Sequence, residues 1–288
     1  MTVLVTGADG QLGGAIAEKL TTGHRVVSMG HAALDLTEPG AVVDEVCRIQ
    51  PEVIINCAAY NDVDGAEDDP VTALSVNAFA LRTLAQAARR VDATLIHYST
   101  DFVFDGTADC PYSEDDAANP QSVYAMSKLV GEWFAGDIPS YVLRVESLFG
   151  GVNQRSHQGS LGRMARAILD GQKVRAFADR TVSPSYVPDV VGATEALISL
   201  RPKPGLYHCV GSGSGTWVEV ATELARCLGR SADIVPTRLA EVPLKAARPA
   251  YCVLSNARLA RAGITMPTWQ DAVKRYAESL LSSLVDQT

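Results

Sequence analysis

Several things are scarce in this 288-residue chain, and each scarcity excludes a class of protein. Cysteine is sparse: Cys47, Cys57, Cys110, Cys209, Cys227 and Cys252 form no CxxC pair and no Cys/His cluster at metal spacing. Neither a disulfide framework nor a metal site is therefore expected. Cys57 and Cys209 lie in apolar runs, where a cysteine behaves as a small hydrophobe, and the set reads as the reduced thiols of a cytoplasmic protein. No apolar run is long enough to cross a bilayer, and Met1-Thr2-Val3-Leu4-Val5 enters an apolar strand with no basic stretch before it. Neither membrane nor secretion is expected. Positive charge is short as well: 25 Lys and Arg stand against 33 Asp and Glu, a net charge of −8 with no basic run. Nucleic acid is excluded as a partner on that ground. What remains is ample apolar material, 47 % of the chain, enough for a sizeable core in one large domain or two smaller ones.

The first half alternates short β-rich apolar runs with helical patterns, the mark of a parallel sheet wrapped by helices. Strands are expected over 2–6, 25–29, 53–57, 94–99 and 141–145, and helices over 12–20, 42–50, 71–91 and 123–134. A Gly/Asn/Gln/Ser-rich stretch at 150–159 marks a loop and a change of domain. Further helices are expected over 161–169, 188–200, 217–228 and 269–284. The fold class is thus α/β: a Rossmann-type, doubly wound parallel sheet over 1–150, with a smaller C-terminal α/β substrate lobe over 151–288. Part of 180–210 is expected to return to the first domain. A homodimer is compatible with this composition, which does not specify the oligomeric state.

The first strand runs into Gly7-Ala8-Asp9-Gly10-Gln11-Leu12-Gly13 and then a helix. Gly7 permits a tight turn, Gly10 lets backbone approach a pyrophosphate, and Gly13 lets the helix pack close to the sheet. The N–H groups of the helix start then face the phosphates. The second strand ends Ser28-Met29-Gly30-His31, without the carboxylate that would hold ribose hydroxyls and repel a 2′-phosphate. NADPH is the expected cofactor, with NADH allowed. Asp35-Leu36 either borders the adenine or caps a helix starting near Pro39.

Tyr124 and Lys128 stand four residues apart on one helical face, with Asn119-Pro120 as a plausible entry to that helix. A cation beside a phenol favours the phenolate and draws its pKa toward working pH. Leu95-Ile96-His97-Tyr98-Ser99-Thr100-Asp101 ends a strand in hydroxyls and a carboxylate, where α/β sheets place ligands. Thr100, with Ser99 as its rival, can stabilise charge on a substrate carbonyl oxygen. Asp101 either contacts the substrate or caps the next turn, and His97 reads as a strand residue facing the sheet. Ala58 and Ala59 leave room for a dinucleotide or simply pack. Asn77 either braces backbone near the site or serves a proton path to Lys128. Arg248 suits a substrate pyrophosphate, or is a surface residue.

These residues carry a family resemblance. TGADGQLG at 6–13, INCAAYNDVDGAE at 55–67, VNA at 76–78, HYSTDFVFDG at 97–106, YAMSKLVGE at 124–132 and SPSYVPD at 183–189 resemble dTDP-4-dehydrorhamnose reductases, as do GLYHCVGSGSGTWVEVA at 205–221 and Arg248-Pro249. The resemblance spans nearly the whole chain, and HxSTDxVFDG is its most specific piece. It implies reduction of a 4-keto-6-deoxy sugar on dTDP by NAD(P)H. Thr100, Tyr124 and Lys128 match the catalytic trio, and Gly10, Gln11, Leu12, Asp35, Leu36, Ala58, Ala59 and Tyr60 match cofactor-contacting positions. Asp101 matches a substrate contact.

Two departures bear on the sugar. Phe102 stands where STDYVF is usual, and Arg144-Val145-Glu146-Ser147 stands where Arg-Thr-Ser-Trp is common, removing an aromatic wall. An epimerase, or a non-catalytic subunit that keeps the cofactor fold, remains an alternative. A dehydratase is disfavoured because Phe102, not a second carboxylate, follows Asp101.

Overall fold

The computed structural model describes residues 1–151 and 159–285; most of the loop expected at 150–159 lies outside the described residues. In the first half, β1 (Thr2–Thr6), α1 (Gln11–Leu20), β2 (Arg25–Met29), α2 (Pro39–Ile49) and β3 (Val53–Asn56) follow one another. Next come α3 (Gly65–Asp68), α4 (Pro70–Leu74), α5 (Ala80–Arg90), β4 (Thr94–Thr100), α6 (Val123–Gly136) and β5 (Ser140–Val145). The second half adds β6 (Leu148–Phe149), α7 (Ser160–Leu169), β7 (Val174–Phe177), β8 (Thr181–Val182), β9 (Ser185–Tyr186) and α8 (Val187–Leu200). It closes with β10 (Gly205–His208), β11 (Gly215–Thr216), α9 (Trp217–Cys227), β12 (Ile234–Thr237), α10 (Ala257–Arg261) and α11 (Trp269–Val285).

Six strands form one parallel sheet in the order β2-β1-β3-β4-β5-β10. Successive side chains of a strand leave opposite faces, so each buried strand feeds two cores. Val3, Val5, Ile55, Ile96 and Leu143 meet α1 and α8 on one face. Leu4, Ile54, Leu95 and Val142 meet α2 and α5 on the other. Apolar residues on both faces explain why these strands read as unbroken hydrophobic runs. The chain reverses direction of travel across the sheet between β1 and β3. That switch point opens a crevice at the strands' carboxyl ends, where such sheets bind ligands.

A third core, around Phe149, Leu161, Leu224, Trp217, Trp269 and Tyr276, belongs to a smaller lobe of short strand pairs backed by α7, α9 and α11. Segments α8 and β10, although late in the chain, pack into the large sheet.

The single helix expected over 71–91 is three pieces: α4, a π turn over Ser75–Phe79, and α5. The widened turn carries buried Asn77, whose backbone carbonyl lies against α6 at Gly131; a Cβ there would come within 2.3 Å of Asn77 O. Serine rather than Asn119-Pro120 starts α6, since Ser122 Oγ accepts from Ala125 N at 3.2 Å.

Candidate active site

The glycine turn is sterically obligatory. Gly7 has φ +67°, and a Cβ on it would lie 2.5 Å from Ala58 N. A Cβ on Gly13 would lie 2.3 Å from Gly7 O. The N-cap of α1 is Gly10, which has no side chain of its own to cap the helix, and with Gln11 and Leu12 it faces the crevice. The Gln11 amide donates to Gly150 O at 2.5 Å, tying the turn to the chain just after β6.

Gly10, Gln11 and Leu12 form one wall of a cavity of about 800 Å³. Ala58, Ala59, Thr100, Asp101, Tyr124, Lys128 and Arg248 line the same cavity. Gly7, Gly13, Asp35, Leu36 and Tyr60 do not. Gly7 and Gly13 shape the turn from behind, and Leu36 is a core residue beside Val42 and Val46. The Asp35 carboxylate accepts from both Thr37 N (2.9 Å) and Thr37 Oγ1 (2.7 Å), which holds it below the usual carboxylate range. It organises the turn before α2. Tyr60 is clamped by Asn77: Tyr60 N donates to Asn77 Oδ1 at 2.9 Å, and Asn77 Nδ2 donates to Tyr60 O at 3.1 Å and Ser127 Oγ at 2.9 Å. Asn77 thus braces the loop after β3 against α6, and its bonds run to Ser127, not to Lys128.

Tyr124 and Lys128 are both buried. Lys128 Nζ donates to Tyr98 O at 2.6 Å, and burial pulls its pKa down to about 8, against the opposing pull of Glu132. For Tyr124 the direction is opposite to that expected from the spacing. Burial pushes the phenol well up, negative Asp101 adds to this, and Thr100 eases it only in part. The Lys128 ammonium, turned to the Tyr98 carbonyl, does not offset this rise. His97 is fully buried, with Nδ1 3.2 Å from Asn56 Nδ2, and burial keeps its ring neutral.

Thr100, not Asp101, caps the turn that follows β4: its Oγ1 accepts from Phe102 N at 3.2 Å while donating to Asp101 Oδ1 at 3.0 Å. The Phe102 ring meets Tyr124 edge-on at 6.0 Å between centroids, with the guanidiniums of Arg180 and Arg248 at 5.1 and 5.9 Å from its centre. Arg248 is also paired with Asp64 at 3.1 Å. Ser147, at φ +46°, lines the cavity where the Arg-Thr-Ser-Trp pattern would put an indole.

Sequence reasoning missed two carboxylates that the fold delivers from a distance. Asp9 lies over Gly30: a Cβ on Gly30 would fall 1.9 Å from Asp9 Oδ2. The end of β2, bare of charge in the sequence, therefore has a carboxylate above it. Glu146, at the end of β5, is buried beside Asp101 and accepts from Ser183 N at 2.7 Å. A second carboxylate does stand beside Asp101, but Glu146 is not among the residues that line the cavity, so elimination stays disfavoured.

Among known proteins, the family model of the RmlD substrate binding domain matches residues 1–282. A dTDP-4-dehydrorhamnose reductase of Mycolicibacterium smegmatis is 34 % identical, over 99 % of this chain and 87 % of its own length. A probable dTDP-4,6-dihydroxy-2-methyloxan-3-one 4-ketoreductase of Streptomyces antibioticus is also 34 % identical, over 98 % and 97 %. The solved structure of dTDP-4-dehydrorhamnose reductase from Bacillus anthracis in complex with NADP superposes with a TM-score of 0.90 at 31 % identity, covering 96 % of this chain and 98 % of that one.

Proposed function

The chain belongs to the RmlD substrate binding domain family, and from that premise we propose that it reduces the 4-keto group of a dTDP-linked deoxysugar. It uses NADPH, and NADH can take its place. The observation that carries the reading is one cavity lined both by the glycine turn and by Thr100, Tyr124 and Lys128. The smaller lobe supplies the opposite, substrate-side wall through Arg163, Phe177, Arg180 and Trp217. Six free thiols suit a reducing, cytoplasmic compartment, and among the described residues no helix is long and apolar enough to cross a membrane.

The cradle fits a dinucleotide, because Gly7 and Gly13 leave no room for side chains between the turn and the sheet. A bound nicotinamide supplies the hydride. Tyr124 supplies the proton, and here its raised pKa is useful: reduction needs the neutral phenol as an acid. Thr100 offers its hydroxyl to the carbonyl oxygen as negative charge builds there. Lys128, a buried cation fixed by Tyr98 O, stabilises the phenolate that Tyr124 becomes. Arg163, Arg180 and Arg248 give the substrate side the positive charge that a diphosphate requires.

Mixing the protein with NADPH and a panel of 4-keto sugar nucleotides, and following cofactor absorbance, tests the reading. Consumption with a dTDP-linked 4-keto sugar is expected; no consumption with any member overturns it.

Two side chains allow finer checks. Asp9 places a carboxylate where an NAD-selective fold carries one at the end of β2. Asp9→Asn will therefore raise the NADPH-to-NADH ratio of kcat/KM by about tenfold, roughly 1.4 kcal/mol of relieved repulsion. An unchanged ratio would show that Asp9 swings away from the ribose. Arg248→Ala will raise KM for the sugar nucleotide by about tenfold with little change in kcat, as expected for loss of one charged hydrogen bond. An unaltered KM removes Arg248 from the binding site.

A further inference from the structure

The floor of the cavity and the layer directly behind it hold more acid than one cation can neutralise. Asp101 and Glu146 are 3 % and 1 % exposed, and one oxygen of each lies within 4.8 Å of the other and of Cys252 Sγ. Asp101 Oδ2 and Glu146 Oε1 are both buried without a hydrogen-bond partner among the described residues. The charged and titratable groups around them are Arg180, Cys252 and, beyond Thr100, Tyr124. Arg180 donates to Pro249 O at 3.2 Å and to Cys252 Sγ at 3.7 Å. The Cys252 thiol is held neutral by burial. Two carboxyls and one guanidinium in a dry site reach neutrality only with one proton on the pair. A metal cation fits less well, since Arg180 already brings positive charge to the sulfur.

We propose that Asp101 and Glu146 share a single proton, and that Glu146 is thereby a positioning residue which lets Thr100 donate its hydrogen to the substrate oxygen. The reasoning is a count of hydrogens, and it rests on the reductase reading above. A threonine hydroxyl has one hydrogen. While Asp101 is ionised, Thr100 spends that hydrogen on Asp101 Oδ1, the 3.0 Å bond seen here. With the proton on Asp101, a half-turn of the carboxyl about Cβ–Cγ carries the protonated oxygen from the Glu146 side to Thr100, and the bond reverses: Asp101 donates to Thr100 Oγ1, and the hydroxyl hydrogen turns to the carbonyl oxygen. An arriving carbonyl offers that hydrogen an acceptor and so draws the shared proton from Glu146 to Asp101. The move is within the pair, and no proton is gained or lost. Burial raises both acids, and repulsion from Asp101 raises Glu146 further against the opposing pull of Arg180; the two titrate as a unit, and the proton stays on the pair at neutral pH.

Two measurements test this. Infrared spectroscopy of the unliganded wild-type protein at neutral pH should show the C=O stretch of a buried, protonated carboxylic acid. Its absence overturns the proposal even if Glu146 variants fail to fold, and leaves the reductase reading intact. Glu146→Gln should abolish that band and leave Asp101 ionised beside Arg180. In wild type, activity should fall as pH rises through about 8, where Lys128 loses its proton. In Glu146→Gln the alkaline limb of kcat/KM should move down by about one pH unit or more, with cofactor dissociation constants unchanged. A purely structural role would lower activity evenly across pH. A persisting band or a superimposable profile overturns the proposal. A wild-type protein that shows the band but reduces no keto sugar overturns the reductase reading instead.

Discussion

Tyr124→Phe will lower kcat for keto-sugar reduction by about three orders of magnitude, the scale on which a positioned general acid contributes. Tyr124 lines the cavity and carries a phenolic hydrogen that the site both buries and keeps on its oxygen. Burial and neighbouring Asp101 hold it as a phenol, and Lys128 stands four residues along the same helix to receive the negative charge that follows. Phenylalanine keeps the ring, its edge-on contact with Phe102 and its packing against Ala66 and Ala73. Dissociation constants for NADPH and NADH should accordingly stay within about twofold of wild type, a few tenths of a kcal/mol. The contrast between the two readouts is the test. Loss of both would indicate a collapsed site. Turnover within about tenfold of wild type would mean that another group donates the proton, since removing a true general acid costs at least that much.

How much of this was legible beforehand depends on range along the chain. The large sheet was readable because its strands are buried on both faces: Val53-Ile54-Ile55 is apolar at every position, and turn residues bound it. Helices α7, α8, α9 and α11 were also visible, because each carries enough turns for apolar periodicity to show. The smaller lobe's strands were not. Pairs such as β8 with β11 and β6 with β9 are two residues long, too short for any alternation to register. The π turn was invisible for a different reason: Ser75–Phe79 continues the apolar pattern of the helices on either side, and the bonds of Asn77 to Tyr60 and Ser127 exist only in the fold.

The cavity's residues were found because they sit where strands end and a helix begins, a rule of position that a sequence exposes. What escaped is contact between carboxylates and partners far along the chain. Asp9 over Gly30 and Glu146 beside Asp101 depend on the sheet order, in which β1 neighbours β2 and β4 neighbours β5. Reading the end of β2 from its own residues overlooked that the adjacent loop could supply the missing charge. Arg180 was passed over as well, because nothing local says that it turns inward to Pro249 O.

The second large effect concerns what holds the catalytic helix to the sheet. Glu132→Ala should destabilise the fold by about 3–5 kcal/mol, the cost of leaving a buried charge without its partner. Glu132, two turns of α6 beyond Tyr124, takes both Arg144 Nε (2.8 Å) and Nη2 (2.7 Å), and the two side chains are only 7 % and 4 % exposed. The guanidinium also lies 4.9 Å over the Phe104 ring, which packs against it. In a chain of this size the loss corresponds to a Tm lower by roughly 10 °C. Two features separate an ion pair from mere lost volume. Removing both charges, in Glu132→Met with Arg144→Met, should recover most of the stability, since neither variant side chain then needs a counter-charge. Glu132 also supports the charge on Lys128; without it that ammonium's pKa falls below about 8, and the alkaline limb of activity moves to lower pH. A double variant no more stable than Glu132→Ala alone would show that shape at this contact, rather than charge, fastens α6 to the sheet.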